Sequence, residues 1–222
     1  MSTDRTRRPR GPGQRAGLTR QAVLDHALDY VDRKGLSALT MRALGAELGV
    51  EAMTLYHYVP TKDALLDGML ERSFTLATPA LSADTDASAW PQGLREFAHG
   101  LRQGLLRHPG ILPLATSRPA VTPETLDRVE VYLRMLTNAG FDLGRALHMV
   151  NTLVLFVVGH VAAETQVTQQ AEAGGAEWLS ALDPARYPLL IEAAATGRGT
   201  DDAERFAFAV DCLITGFAHS AS

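Results

Sequence analysis

The stretch that decides the fold runs from Thr40 to Lys62 and reads TMRALGAELGVEAMTLYHYVPTK. Thr40 can cap a helix, because its hydroxyl can accept one of the free backbone N–H groups of the first turn. Gly49 stands where the C-terminus of that helix favours a residue that tolerates positive φ. A second short helix is predicted from about Glu51 to His57. Two short helices joined by a glycine turn are typical of a helix-turn-helix, whose second helix enters the major groove of DNA.

The distribution of charge favours a DNA-binding head on a different kind of body. The whole chain of 222 residues has a net charge of −4, which alone does not favour binding to nucleic acid. Residues 1–62 contain ten Lys and Arg but six Asp and Glu, a net charge of +4, whereas residues 63–222 carry −8. A basic head on an acidic body fits a DNA-binding module joined to a second function. Chance asymmetry in a soluble protein is the alternative.

The N-terminal residues 1–17 are rich in Arg, Pro and Gly and have almost nothing to bury, which predicts a disordered basic arm. This arm is either a solubilising tail or a segment that contacts phosphates or a minor groove. The single cysteine, Cys212, excludes an intramolecular disulfide and is predicted to be a small buried hydrophobe. No signal peptide is visible, and the longest apolar run, residues 152–163, is shorter than the roughly 20 residues that span a membrane. We therefore expect a cytoplasmic protein with no membrane partner.

Helix start and stop signals predict an all-α fold of about ten helices. Thr122-Pro123 and Asp183-Pro184 each combine a cap with a proline at the first helical position. A polar loop at residues 78–88 is the best candidate boundary between domains. Outside the opening stretch, helices are predicted from Thr19 to Lys34, Thr61 to Leu76, Trp90 to Arg107, Thr122 to Ala139, Asp142 to Gln170, Asp183 to Thr196 and Thr200 to Ala218.

Residues 39–66 resemble the TetR family of transcriptional regulators. The family pattern is carried at its usual spacing by Leu39-Thr40-Met41-Arg42, Leu48-Gly49-Val50, Thr54-Leu55-Tyr56, Tyr58-Val59 and Lys62-Asp63-Ala64-Leu65-Leu66. The body is similar, more loosely, to the tetracycline-binding members of the family. That similarity is carried by Thr116-Ser117-Arg118-Pro119, Glu124-Thr125-Leu126, Ala139-Gly140-Phe141 and residues 143–147. The resemblance covers nearly the whole chain and is strongest up to residue 75.

The resemblance implies a homodimeric repressor that a small molecule releases from a palindromic operator. A three-helix, helix-turn-helix head at residues 18–62 would bind the DNA. A ligand-binding and dimerisation body at residues 63–222 would hold the inducer and pair through the helices around 142–165 and 203–218. No cofactor is implied, and no recognised catalytic motif favours an enzyme. The alternative is a ligand-independent DNA-binding regulator or an activator, because the residues do not encode the direction of regulation.

The same resemblance assigns nine residues to the DNA. Arg42 would bind guanine or a phosphate, whereas Ala52 and Met53 can contact only thymine methyl groups. Thr54 and His57 would also meet the groove. Phosphates would be held, and the register set, by Thr40, Tyr56, Tyr58 and Lys62.

The ligand site departs from its tetracycline-binding relatives. Alignment places their metal-binding His at Leu114, their drug-binding Asn at Phe97 and the aromatic one turn later at Leu101. A divalent ion needs oxygen or imidazole ligands, so we predict neither a magnesium ion nor tetracycline. A mostly apolar cavity for a hydrophobic or aromatic molecule remains. The candidate ligand-binding residues are Phe97, Leu101, Leu114, Arg118, His148, Asn151 and Leu155.

Three of the polar candidates have a second interpretation. Arg118 could meet a ligand carboxylate or pair with an acid of its own chain. His148 and Asn151, like His160 on the same predicted helix, could instead be satisfied polar groups in a core or a dimer interface.

Overall fold

The computed structural model describes residues 18–77, 87–118, 121–172, 182–196 and 201–219. Within these residues it contains ten α-helices and no strand, which confirms the predicted all-α fold. The helices are α1 (Arg20–Lys34), α2 (Met41–Glu47), α3 (Ala52–Leu55), α4 (Lys62–Ala77), α5 (Trp90–Arg107), α6 (Leu112–Ser117), α7 (Pro123–Asn138), α8 (Leu143–Glu172), α9 (Pro188–Thr196) and α10 (Asp202–His219). The basic arm at 1–17 and most of the polar loop at 78–88 lie outside the described residues.

Threonine caps fix where four of the helices begin, as the sequence predicts. The hydroxyl oxygens of Thr19, Thr40 and Thr61 accept the backbone N–H three residues further on, at 3.1, 3.0 and 2.9 Å. Thr122 does the same for α7 at 3.3 Å, with Pro123 at the first helical position. Each such cap stabilises its helix by about 1 kcal/mol. Helices α1, α2, α4 and α7 therefore start at positions that local chemistry determines.

The second helix of the opening stretch is shorter than predicted, because its last residues turn more tightly. It ends at Leu55 rather than at His57. The N–H groups of His57 and Tyr58 donate three residues back, to Thr54 at 3.3 Å and to Leu55 at 2.9 Å. This spacing belongs to a tighter turn than the α-helix. The side chains of residues 56–58 are thus presented on a turn.

Two other predicted helix starts are wrong or shifted. The carbonyl oxygen of Asp183 accepts the N–H groups of Arg186 and Tyr187, which closes a turn, and α9 begins only at Pro188. Asp-Pro is compatible with both a turn and a helix start, and here the turn forms. For α10 the cap is Asp201, whose carboxylate accepts the N–H of Glu204 at 2.7 Å.

Helix α8 is the centre of the body and packs against α5, α6, α7 and α10. Its inner face is buried at Met149, Leu153 and Val157. Helix α4 packs against both α1 and α5, so it joins the head to the body. Cys212 is exposed, which corrects the prediction that it is buried. It lies on the opposite face of α10 from the buried Val210 and Ile214.

Candidate DNA-binding surface and ligand cavity

Helices α2 and α3 cross so closely that one position admits only glycine. A Cβ atom on Gly45 would lie 2.9 Å from the carbonyl oxygen of Val50 and 3.2 Å from the backbone nitrogen of Ala52. The N–H of Val50 donates to the Gly45 carbonyl at 2.9 Å. Between the helices Gly49 has a φ of 68°, in the region that favours glycine. The turn therefore holds α3 at a fixed angle to α2, as a reading helix requires.

Most of the predicted DNA-binding residues are exposed in the structure. Met53 is 69% exposed, and Tyr56 is 40% exposed although both are large and apolar. Ala52 and Tyr58 are only partly exposed, because each also packs against the core of the head. The exposed members of the set are Thr40, Arg42, Met53, Tyr56, His57 and Lys62, and the half-buried members are Ala52, Thr54 and Tyr58.

Most cations among the described residues of the head are engaged by other side chains. Arg20 pairs with an acid of α4, and Arg33 pairs with Glu47 at 2.6 Å. Lys34 lies over an aromatic ring of its own helix. Among the described residues of the head, this leaves Arg42 and Lys62 as the cations whose charge is not engaged. Both side chains are therefore available to a phosphate or a base edge.

The head is tied to α4 by two ion pairs from α1. Arg20 donates to both carboxylate oxygens of Glu71, at 2.9 and 3.3 Å, and Arg72 donates to both oxygens of Asp25, at 2.7 and 3.0 Å. Glu71 is only 7% exposed. Burial alone would raise the pKa of Glu71, but hydrogen bonds from Arg20 and Thr122 and the charge of Arg20 outweigh it and hold that pKa below its usual value. Consequently α1 and α4 are linked as a unit.

A third link joins α1 to the turn before α6. Asp32 accepts the N–H of Gly110 at 2.9 Å with one oxygen and contacts the His108 ring nitrogen at 2.7 Å with the other. Together with Asp29 these side chains form a group whose ligand atoms lie within 4.8 Å of one another, close enough to share a metal ion. Both oxygens of Asp32 already have protein partners, so this group acts as a structural link between head and body.

The body contains a cavity of about 510 Å³ between α4, α5, α6, α7 and α8. Its walls are mainly apolar, and Phe97 stacks at an angle on Tyr132 with 4.7 Å between the ring centroids. Burial raises the pKa of Tyr132 to about 12, so this phenol stays neutral. The cavity is lined by Leu70, Phe74, Phe97, Leu101, Ala115, Thr116, Ser117, Arg118, Thr125, Arg128, Val129, Tyr132, Val150, Asn151, Val154, Leu155 and Val158.

The lining overlaps the predicted ligand-binding set without matching it. It includes Phe97, Leu101, Arg118, Asn151 and Leu155. Outside it lie the other two candidates, Leu114, which is packed in the core and 4% exposed, and His148, which is exposed on α8.

None of the cavity-lining residues on α7 is predicted from the sequence. They are Thr125, Arg128, Val129 and Tyr132, which follow one another at helical spacing on one face. That periodicity was available in the sequence, but it predicts any inward-facing surface equally well, whether core or cavity.

Arg118 belongs both to the cavity and to the connection with α4. Its Nη2 donates to Asp63 at 2.8 Å, and its Nη1 lies 3.6 Å from Asp67. Both acids lie in the first turns of α4. The same guanidinium thus contacts the space available to a ligand and the helix that carries the head.

A second polar cluster lies between α5, α8 and α10, apart from the cavity. Arg102 donates to both oxygens of Glu164, at 3.1 and 2.6 Å, and both side chains are mostly buried. His160 lies 3.9 Å from Glu164 and packs against Phe206 with 5.2 Å between ring centroids. Burial lowers the pKa of His160, although the charge of Glu164 opposes this shift. His160 is therefore a largely buried polar group of the packing between α8 and α10.

Two exposed ridges run along α8 and α10. On α8, every fourth residue from Leu143 to Ala163 is exposed, including Leu155 at 73%. On α10 the corresponding ridge contains Phe208, which is 72% exposed, and Cys212. The segment Leu143–Gln166 is long and apolar enough to cross a membrane by length and composition alone. In this fold it is the central helix, and its exposed ridge is mainly apolar, with Asn151 as its polar member. Asn151 and Leu155 belong both to this ridge and to the cavity lining.

Comparison with known proteins matches both the head and the body of the chain to family models. Residues 23–69 match the model of bacterial regulatory proteins of the tetR family, and residues 82–220 match the tetracyclin repressor-like C-terminal domain. The chain is 34% identical over 202 residues to the HTH-type transcriptional repressor DrrR1 of Streptomyces coeruleorubidus, covering 88% of this chain and 71% of that repressor. It is 32% identical over 207 residues to the class D tetracycline repressor of Escherichia coli, covering 91% and 90% of the two chains.

Solved structures support the same fold. ActR of Streptomyces coelicolor in complex with (S)-DNPA has a TM-score of 0.74 at 24% identity, covering 92% of this chain and 99% of that one. A TetR variant from Acinetobacter baumannii in complex with minocycline has a TM-score of 0.65 at 26% identity, covering 93% and 99%. The matches extend over both the helix-turn-helix head and the helical body. The chain belongs to the TetR family of transcriptional regulators, and the proteins it matches are regulators rather than enzymes.

Proposed function

We propose that this chain is a cytoplasmic, homodimeric repressor that binds a palindromic operator and is released by a hydrophobic or aromatic small molecule. The observation that carries the proposal is the apolar cavity of about 510 Å³ in the body. A cavity of this volume is in the range of small-molecule sites. Two residues of its wall, Leu70 and Phe74, belong to α4, which also packs against α1 of the head. In a regulator that binds no ligand, we would expect side chains to fill this space.

The exposed surface of α2, α3 and the following turn supports the DNA-binding part of the proposal. Arg42 and Lys62 offer unengaged positive charge, and Thr40 and Tyr56 offer hydroxyl groups for phosphates. Met53 projects a large apolar side chain that can contact a thymine methyl group but cannot hydrogen-bond a base. We expect the register to be set by phosphates and the sequence to be read by few groups, among them Arg42 and His57.

The exposed ridges of α8 and α10 support the dimer. Residues at four-residue spacing form the ridges that interlock in the commonest class of helix packing. Large exposed apolar side chains that recur along a helix favour a contact with another protein surface. A two-fold axis through these helices would place two heads on one DNA duplex, which is the symmetry that a palindromic site requires.

The cavity does not suit the magnesium chelate of tetracycline, although tetracycline repressors are among the relatives. None of the described residues that line it carries an imidazole or a carboxylate. Leu114, which aligns with the metal-binding His of those relatives, is buried and lies outside the lining. A hard divalent ion is usually held by carboxylates, and the hydroxyl and amide oxygens of this lining alone would make a weak site. We therefore expect an inducer that binds without a metal ion.

Release would work by a shift of population between two spacings of the heads. The ligand can move this equilibrium only by its difference in affinity for the two states. A ligand that contacts Leu70 and Phe74 of α4 would bind the two states with different affinities. The reason is that α4 is tied to α1 of the head by the Arg20–Glu71 and Arg72–Asp25 pairs. A ligand that displaces α4 therefore also displaces the head.

Arg42→Ala tests the DNA-binding surface. We expect this change to weaken binding to the DNA upstream of the protein's own gene by at least tenfold, since a charged contact with DNA is worth about 1–3 kcal/mol and occurs twice in a dimer. Gel-shift titrations would measure it, with Arg134→Ala as the control because Arg134 is exposed on α7 of the body. Wild-type affinity in the Arg42 variant would show that this surface does not bind the operator.

A ligand screen tests the other half of the proposal. Apolar aromatic compounds would be added to the preformed protein–DNA complex, and release would be followed by fluorescence anisotropy of the DNA. Substitution of Val154, in the cavity wall, by Trp should fill space and abolish the response to any compound that acts. A compound that releases both proteins equally would not be acting through the cavity.

A further inference from the structure

The charged groups in the cavity wall are all of one sign. Among the described residues that line it, Arg118 and Arg128 carry positive charge, and no acidic residue contributes to the surface. The remaining wall is mainly apolar, with a neutral phenol at Tyr132. In surroundings of low polarity, electrostatic interactions are stronger than in water. The cavity wall therefore favours a ligand that carries negative charge.

Arg118 has an unsatisfied hydrogen-bond donor. Among the described residues its buried Nη1 finds no hydrogen-bond acceptor, and the acidic oxygen that pairs with it, on Asp67, is 3.6 Å away. Buried donors without a partner are rare in proteins, and a ligand that supplies an acceptor to this nitrogen is favoured. A planar guanidinium presents its donors in a fork that matches a carboxylate.

The neighbouring hydroxyl groups strengthen this argument. Thr116 donates to the carbonyl oxygens of Leu112 and Pro113, and Ser117 donates to that of Pro113 at 2.6 Å. Their protons are thus already used, and they can offer a ligand only their lone pairs. Among the described residues of the lining, the charged donors are the guanidinium groups of Arg118 and Arg128.

We propose that the inducer is an aromatic or other largely apolar molecule that carries one carboxylate or an equivalent anionic oxygen, and that Arg118 and Arg128 bind this anion. The inference rests on the proposed function and specifies the ligand class of its cavity. The apolar walls of α5 and α8 hold the hydrophobic part, and the anion lies against Arg118, which follows α6, and Arg128 of α7. A neutral molecule of the same shape binds less tightly.

The anion also competes with residues of α4. Arg118 is held by Asp63 and Asp67, so a ligand carboxylate that draws the guanidinium towards itself weakens these pairs. Linkage is reciprocal, and removal of one of these acids therefore strengthens binding of the anion. The variants Arg118→Gln and Asp67→Asn consequently have opposite effects on the same measurement.

The test compares two fluorescent probes of the same shape, anthracene-2-carboxylate and anthracene-2-carboxamide, in titrations of the full-length protein. We expect the carboxylate to bind about tenfold to a hundredfold more tightly, the range of a charge-assisted hydrogen bond. Arg118→Gln should remove most of this preference, and Asp67→Asn should increase the affinity for the carboxylate. Arg134→Gln is the matched control, since Arg134 is exposed on α7 and pairs only with Glu130 among described residues.

Equal affinity for the two probes overturns the proposed ligand class, and so does a carboxylate preference that survives both Arg118→Gln and Arg128→Gln. If neither probe binds while the protein still binds its promoter DNA, the ligand class fails and the DNA-binding part of the proposed function stands. If the protein binds neither the probes nor that DNA, both fail. Should Arg118→Gln lose its helical circular dichroism, Arg128→Gln and Asp67→Asn carry the test alone.

Discussion

Phe208→Ala should separate the protein into monomers and thereby abolish tight operator binding. Phe208 lies on the exposed ridge of α10 and is 72% exposed in the single chain. The side chain of Phe208 cannot be buried within its own protomer, because the opposite face of α10 already packs on the body through Phe206 and Val210. A partner helix on the ridge would remove it from water.

The size of the effect follows from the exposed area. A phenylalanine offers roughly 200 Å² of surface, so a side chain that is 72% exposed leaves about 140 Å² for a partner to cover. At about 25 cal/mol per Å² this burial stabilises the dimer by at most about 3.5 kcal/mol per protomer. Both protomers contribute the residue in a two-fold interface. Even half of the total, about 3.5 kcal/mol, corresponds to a change of more than a hundredfold in the dimer dissociation constant.

The assay is sedimentation velocity over a dilution series, with the wild-type chain and a control variant alongside. Leu126→Ala is a suitable control, because Leu126 is 51% exposed but lies on α7, outside the predicted interface. We expect the control to remain dimeric at concentrations where the Phe208 variant is monomeric. Helical circular dichroism should be unchanged in both variants, since neither side chain is part of the core.

Two results would refute this reasoning. If Phe208→Ala remains as dimeric as the wild type, α10 does not pair with a partner. If the variant becomes monomeric and yet retains full affinity for a palindromic site, the operator is not read by a symmetric pair of heads.

Three further outcomes are expected. Gly45→Ala should weaken operator binding at least tenfold in gel-shift titrations, because its Cβ would lie 2.9 Å from the carbonyl oxygen of Val50, and the dimer should persist; unchanged affinity would contradict the close crossing. Glu71→Ala should lower the free energy of unfolding by about 2 kcal/mol, by stripping Arg20 of its buried partner, and denaturant titration would show it. His160→Gln should reduce the loss of stability between pH 7 and pH 5: burial lowers the pKa of His160, so the unfolded chain takes up the proton first and acid destabilises the wild type. Parallel melting curves across this range would disprove that contribution.

The features that the sequence predicted correctly depend on local chemistry. The threonine caps at Thr19, Thr40 and Thr61 need only a hydroxyl and an N–H three residues away. Asp183-Pro184 shows where local chemistry is ambiguous, because the same dipeptide begins either a turn or a helix. Cys212 shows a different limit: an apolar segment has two faces, and composition alone does not say which face the chain itself covers.

The cavity was harder to predict, because its walls come from five helices that meet only in three dimensions. Alignment with relatives predicts Phe97 and Leu101 as cavity residues. It does not predict Arg128 and Tyr132, since an inward-facing stripe on α7 is equally compatible with solid packing. Leu114 lies in the core and outside the lining, so alignment with relatives is not sufficient to identify a wall residue.

The short helix α6 lies between the cavity and the contacts with α1 and α4. At its N-terminal end, Gly110 and His108 contact Asp32 of α1, and at its C-terminal end Arg118 contacts Asp63 of α4. Between these ends, α6 contributes a wall of the cavity. A ligand that shifts α6 would therefore alter contacts both with α1 of the head and with α4, which two ion pairs link to α1. Because the contacting residues are 55 to 78 positions apart in the chain, no local pattern in the sequence could have revealed this connection.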